Sequence, residues 1–457
     1  MSVLALDVGT SSVRAQQLDE GGEAAGELRQ EKYESDDPAE VAAAVRRVLG
    51  DEEPDATSCF AHSLVAVDEG WNALTPILGW RDTRSADAAK RLAERLDAET
   101  THARTGAFLH PSFWPAKLAW LAETEPETFH RATWFVSFAD YLRRAPPDFP
   151  AARRRLGRRG LQPLTSLGMA STSGLLDLTT HDWDEELLSR LGLDRERLPR
   201  IADVPLWSDA ACSNAGAGCM TRERAALMVG TSGAFRVLYE SERPQPKPGL
   251  FLYLADGRRV VEGGALSDGG NLYEWLERTL GDASGSLAER DPSDHGLVFL
   301  PFLGGERSTG WKPHARGTIH GLTLETTPLD LRQAAYEGVA FRFAAIADLL
   351  REVREVVATG AGLLHDHDWI QIMADALARP IHVSGVPEAS LQSGTSAIRG
   401  SRSRSSPSVE SSSSSQSWVV RSSKPLVDAI PRLVRGCKRR RPSRRRAAGK
   451  SGGARRR

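Results

Sequence analysis

Two short stretches far apart in the chain constrain its fold most: LALDVGTSSVRA at residues 4 to 15 and MVGTSGAFRV at residues 228 to 237. Each is an apolar run that ends in Val-Gly-Thr-Ser and leaves at once into a second, largely apolar run. That pattern predicts a β-hairpin with a turn the size of a phosphate. In the first stretch Asp7 sits at the strand tip, Gly9 lets a ligand approach the backbone, and the hydroxyls of Thr10, Ser11 and Ser12 lie beside the amides of the turn. Such a turn can hold phosphate oxygens while the carboxylate holds Mg²⁺ through water. A single Asp-x-Gly-Thr reads equally well as a plain hairpin turn with an acid nearby. Two of them, the second being Gly230-Thr231-Ser232-Gly233, are what a nucleotide held between two walls of a cleft requires.

At 457 residues the chain has room for two or three domains, because single cores stop growing at about 250 to 300 residues. No run of about 18 apolar residues exists, which argues against a membrane-spanning helix. The N-terminus lacks a basic region followed by an apolar block, and Asp7 interrupts the one candidate. Four cysteines, at 59, 212, 219 and 437, form no CxxC pair and are too few to staple a chain this long. A cytoplasmic protein is expected. The formal net charge of −1 conceals a division: residues 391 to 457 carry 18 Lys and Arg against 2 Asp and Glu, and the remainder 41 against 58. The chain is an acidic body with a basic tail.

Strands from Val3 to Val8 and Val13 to Leu18 precede a helix pattern from Pro38 to Leu49. A strand-like Thr57 to Val67 and helix-like Ser85 to Leu96 and Pro115 to Glu123 continue the alternation expected of an α/β chain. Residues 143 to 160, RRAPPDFPAARRRLGRRG, predict an exposed loop. SERPQPKPG, 241 to 249, reads as a linker, giving a first domain at 1–244 and a second at 245–390. The second holds a strand and turn at 250 to 265 and helices at Asn271 to Leu280, Leu329 to Arg351 and Trp369 to Leu377. Past Ser390 serine and arginine dominate. Residues 391–457 cannot bury enough apolar surface to offset their chain entropy, so disorder is expected there.

Further blocks follow in order: GWRDTRSA at 79, SLGMASTSGLLD at 166, WSDAACSNAGAGC at 207, EGGALSDGGNLYEWL at 262, LPFLGGERSTGWKPHARGTIHGLT at 300, AAYEGVAFR at 334 and TGAGLLHDHDWIQIMADALARPI at 359. With the two hairpins they resemble the FGGY carbohydrate kinases, from about residue 2 to residue 390. That family shares the two-domain, ribonuclease H-like fold of actin and Hsp70-type ATPases, with ATP and sugar in the interdomain cleft. The resemblance implies an ATP- and Mg²⁺-dependent kinase. It implies Asp7 as the metal-linked acid, Thr10, Ser11 and Arg14 near the transferred phosphoryl group, and Asp209 as the general base. It places Gly230, Thr231, Gly233 and Gly304 with the phosphates, Gly360 and Gly362 around the adenosine, and His62, Trp80, Arg81, Asp82 and Lys117 in the sugar pocket. Chemistry agrees, since phosphoryl transfer rests on positioning and charge neutralisation and a base adds about 10²- to 10⁴-fold. Plainer readings stand beside these. Asp209 reads also as a solvated loop acid, His62 as a satisfied core histidine, and HDHD at 365 to 368 as a helix cap.

Within the family, DVGTSSVRA, AHSLVAVD, HARTGAFLHPSFWPAKLAWL, GTSGAFR and GERSTGW are most similar to gluconate kinases. Arg236, directly after the second turn, is able to pair with a sugar-acid carboxylate, as is Arg81. A kinase for xylulose, glycerol or another polyol is the alternative, and an inactive ATP-binding sugar sensor is the alternative of another class. The expected partners are a small sugar or sugar acid and ATP, with a homodimer left open. Nucleic acid enters only if the basic tail is genuine. Three features depart from the family pattern. Ser208 and Ala210 flank Asp209 where glycine is usual, Gly360-Ala361-Gly362 replaces a GGG or GGA turn, and the apolar helix expected after Ser390 gives way to Ser and Arg. A change of reading frame in the gene would produce that switch, and resequencing the locus decides it.

Overall fold

Val3–Val8 is buried along almost its whole length, and the computed structural model sets it in the middle of a sheet, where such a run belongs. The structure describes residues 2–144, 162–281, 283, 285–287, 290–364, 366–383, 391 and 418–422. The five strands of this sheet lie in the order Leu206–Ser208, Ala56–Cys59, Val3–Val8, Ser12–Leu18, Arg29–Lys32. The first three are parallel, and Val8, Cys59 and Ser208 stand side by side, so all three end at one edge. The helix Pro38–Leu49 buries Val41, Val45 and Val48 in the same core as Leu4 and Leu6. Asp37 caps its start by accepting from Ala39 N, and Gly50 ends it with φ 61°.

A second sheet repeats the plan with seven strands, in the order Phe251–Leu254, Arg259–Leu266, Gly233–Glu240, Arg224–Val229, Glu355–Thr359, Ile381–Val383, Trp418–Val420. Its hairpin, Arg224–Val229 with Gly233–Glu240, again lies between an antiparallel neighbour and a parallel one. The long helix Pro328–Leu349 opens with a complete capping box, Thr327 with Asp330, and packs Tyr336, Val339, Phe343 and Ile346 into the core. The two halves meet where Leu252 N donates to Gly106 O at 2.9 Å. Gly106 has φ 67°, and a Cβ there would stand 1.9 Å from the Leu252 carbonyl oxygen, so only glycine admits this contact.

Three expectations require correction. Residue 245 is no change of sheet, because strands on both sides of it pair in the seven-stranded sheet; the change falls between Ser208 and Arg224. SERPQPKPG misleads because a proline-rich connection between two strands of one sheet looks like an interdomain linker. The strand expected from Thr57 to Val67 is two strands, Ala56–Cys59 and Val65–Val67, parted where His62 takes φ 66°. Trp418–Val420, inside the stretch expected to be disordered, pairs antiparallel with Ile381–Val383, because a local Trp-Val-Val suits a sheet edge. Leu391 is likewise buried against Ala5 and Leu18. The rest of the tail and most of the expected loop at 143 to 160 lie outside the described residues. No helix among the described residues is long and apolar enough to cross a membrane.

Candidate active site

Because Val8, Cys59 and Ser208 end together, the residues after them gather at one edge, outside the carboxyl ends of parallel strands, where α/β sheets commonly build their sites. Asp7 is 4% exposed there. Ser58 Oγ donates to its Oδ1 at 2.8 Å, and Arg14 Nη1 lies 3.5 Å from its Oδ2. The next turn leaves Thr10 and Ser11 exposed and is closed by Gly9 N donating to Ser12 O at 2.9 Å. Asp209 is the first residue of the helix Asp209–Gly216, an acid where the helix dipole favours one. Its Oδ1 accepts from Ala61 N at 3.2 Å and Ala210 N at 2.9 Å. Ser208 caps the helix by accepting from Ala211 N, so the serine found in place of a glycine has a structural task. Burial pushes the Asp209 carboxyl up from the ordinary range, Arg236 draws it down, and Asp7 adds a smaller upward push.

The helix Asp209–Gly216 packs against strands of both sheets. Ser213 Oγ accepts from Arg236 Nη2 and Asn214 Nδ2 donates to Arg236 O, both at 2.9 Å, which fixes the helix along Gly233–Glu240. Its end leads on toward Arg224, the first residue of the second hairpin, whose other end carries Gly230. At that end Gly230 N donates to Ser232 O at 3.0 Å, and Gly230 O accepts from Gly270 N at 2.7 Å. Thr231 is exposed and its carbonyl accepts from Asn271 N. Close backbone approach explains the glycines around this turn: a Cβ on Gly360, φ 91°, would lie 2.6 Å from Val229 O, and one on Gly270 2.6 Å from Gly230 O. A Cβ on Gly362 would lie 3.0 Å from Val229 O and 3.2 Å from Gly230 O. Gly304 N donates to Asp268, a buried acid whose carboxyl burial lifts to about 6.

The expected sugar residues divide. His62 donates from Nδ1 to Thr172 O at 2.7 Å and meets the rings of Phe113 and Tyr253 edge-on; burial holds it well below the usual histidine range, so it is neutral. Lys117 is 1% exposed, is brought down to about 7 by burial, and donates to His62 O and Ser112 O. It ties two loops together rather than reaching into open space. Asp82 is held by a bidentate pairing with Arg84. Two guanidinium groups stack on the Trp80 ring, Arg81 at 5.0 Å and Arg307 at 5.1 Å from its centroid. Arg81 is exposed, whereas Arg236 and Arg307 are 5% and 6% exposed. Arg307 and the buried Tyr253 were not singled out by sequence, although GERSTGW contains the former. Their fields act on each other and on Asp209. Of HDHD, His365 lies outside the described residues and Asp366 to Asp368 form a helix start, Asp366 accepting from Trp369 N; no group of three metal-binding side chains occurs among the described residues.

Residues 56–206 match the N-terminal domain of the FGGY family of carbohydrate kinases, and residues 225–392 its C-terminal domain. The gluconokinase of Bacillus subtilis (strain 168) is 26% identical over 435 residues, covering 82% of each chain. Among solved structures, a ligand-bound xylulose kinase from Lactobacillus acidophilus superposes with a TM-score of 0.81, covering 96% of this chain and 97% of that one at 24% identity. A gluconate kinase from Lactobacillus acidophilus gives 0.80 at the same identity and coverage. The fold is thus the two-domain actin-like fold, in the version used by these kinases. The chain belongs to the FGGY family of carbohydrate kinases.

Proposed function

We propose that this sugar kinase transfers the γ-phosphoryl group of ATP to a hydroxyl of a sugar acid, with D-gluconate going to 6-phosphogluconate. The observation that carries the reading is the position of Asp209, at the first turn of a helix shared by both sheets, where the charges of Arg236 and Asp7 both act on it. Its carboxylate takes the proton of the acceptor hydroxyl as that oxygen bonds to the γ-phosphorus, and the bond to the β,γ-bridging oxygen breaks to release ADP. The amides of the turns at Gly9 and Gly230, with the exposed hydroxyls of Thr10, Ser11 and Thr231, hold the triphosphate. The glycines at 360 and 362, packed on Val229 and Gly230, leave a thin backbone wall for the adenosine.

Asp7 fits a Mg²⁺ site of the kind that uses one or two carboxylates plus substrate phosphates, since it is a buried carboxylate at a strand tip beside the first turn. When bound, Mg²⁺ supplies neutralising charge to the phosphates. Trp80, His62 and the loops tied by Lys117 wall the acceptor, and Arg236 contributes positive charge to the same pocket. The test is a coupled ADP-release assay with gluconate, xylulose and glycerol, on wild type and Asp209→Asn. Turnover in the variant should fall by about 10²- to 10⁴-fold with ATP affinity retained. Equal activity in Asp209→Asn removes that residue from its role, and a wild-type preference for xylulose or glycerol overturns the sugar-acid reading.

A further inference from the structure

Arg307 is a buried cation without an acceptor. It is 6% exposed, yet its guanidinium donates no hydrogen bond to any described residue, and its Nε is fully enclosed and unpartnered. A buried charge left so costs several kcal/mol unless something answers it. Its neighbours in sequence are committed elsewhere. Glu306 takes Arg342, Ser308 exchanges backbone and side-chain bonds with Ala265, and Trp311 N closes on Arg307 O while its indole donates to Gly249 O. The Trp80 ring backs the guanidinium at 5.1 Å. The group is therefore held in place and the nearest acid in sequence is unavailable.

Charge does not balance around it either. Asp209 is the carboxylate whose field reaches Arg307, and Arg236, equally buried, draws on the same one. Asp82 is already engaged by Arg84. Arg236 spends part of its capacity on Ser213 Oγ, whereas Arg307 spends none. The Tyr253 hydroxyl, 1% exposed as a residue and coupled to both arginines, also lacks a partner. A planar fork of N–H donors, backed by the Trp80 ring and with capacity to spare, matches a carboxylate, and an unpartnered buried hydroxyl can add a further donor.

We propose that Arg307, assisted by the unpartnered Tyr253 hydroxyl, is the subsite that binds the carboxylate of the acceptor and so selects a sugar acid over the neutral polyol of the same length. This rests on the sugar-acid reading above and assigns its selectivity to residues that reading did not use. A neutral acceptor leaves the pocket with one uncompensated positive charge, and a carboxylate cancels it.

Titration calorimetry of gluconate, of the corresponding six-carbon alditol and of ATP, on wild type, Arg307→Met, Arg307→Lys and Tyr253→Phe, tests this. In Arg307→Met the ratio of gluconate to alditol affinity should fall by about 100-fold, the scale of lost hydrogen bonds to a charged group, with ATP affinity held. Arg307→Lys should recover part of the ratio, since it keeps the charge and loses the fork. Tyr253→Phe should lower the ratio by about 10-fold, and it decides the matter should Arg307→Met fail to fold. A wild-type preference for gluconate that survives both substitutions, or a loss confined to ATP affinity, overturns the subsite alone. A wild type that does not prefer gluconate to the alditol overturns the subsite and the sugar-acid reading together.

Discussion

The two hairpins share Val-Gly-Thr-Ser and differ in what stands one residue earlier: Asp7 in the first, Met228 in the second. They differ also in closure. Val8 pairs with Val13 across the first turn, whereas Val229 pairs with Gly233 across a turn one residue shorter. The tighter turn brings Gly233 under the ring of Phe343, whose Cζ would stand 2.4 Å from a Cβ, and brings the helix beginning at Gly270 against Gly230. The same local motif thus carries a buried carboxylate in one half and close backbone contact in the other.

The largest expected effect separates the two positions directly. Asp7→Asn should lower kcat by roughly 10²- to 10³-fold, the scale of losing one preorganised electrostatic group, while Met228→Leu, a volume-conserving swap, leaves it near wild type. Steady-state kinetics at saturating ATP checks this, and equal effects at both positions would erase the functional distinction between the turns. Next in size, Gly233→Ala should destabilise the second half by about 1–3 kcal/mol in urea unfolding, because the added methyl meets a ring that is fully buried. A pH profile gives a subtler measure. Burial raises the Asp209 carboxyl, and the base works only when ionised, so kcat/KM should rise with pH through an acid limb lying above the ordinary carboxylate value. In Arg236→Met that limb should move further up, since Arg236 is what draws it down. The smallest effect is expected at the sheet's far edge. Val420, partly buried against the main core, should cost about 0.5–1.5 kcal/mol when cut to alanine.

Much of the fold was legible because its signals are local. Asp37-Pro38 before an apolar helical pattern and Gly50 after it mark the helix Pro38–Leu49 at both ends, and the structure agrees residue for residue. The boundary near residue 245 was misjudged because sheet membership depends on pairing with Glu355–Thr359, more than a hundred residues away, while proline content is visible at once. Ala98–Thr105 was overlooked for a similar reason: its cap at Asp97 is plain, but its mixed, polar sequence has no clear periodicity. In the site, Asp7 and the two turns could be read from residues alone, whereas Asp209 stood out only through the resemblance. Arg307 was not singled out, because nothing local shows that its guanidinium will be buried over the Trp80 ring.

By itself the sequence determined that two apolar hairpins end in glycine and hydroxyl residues, that helices and strands alternate, and that an acidic body precedes a basic tail. Those are properties of neighbouring residues, set by side-chain periodicity and backbone freedom. Only the tertiary structure decided that Asp209 stands at a helix start shared by both sheets, that Lys117 is consumed in bracing two loops, and that Arg307 is buried with its Nε unpartnered. Burial and field strength depend on what the rest of the chain brings to a point, and no stretch of sequence carries that information alone.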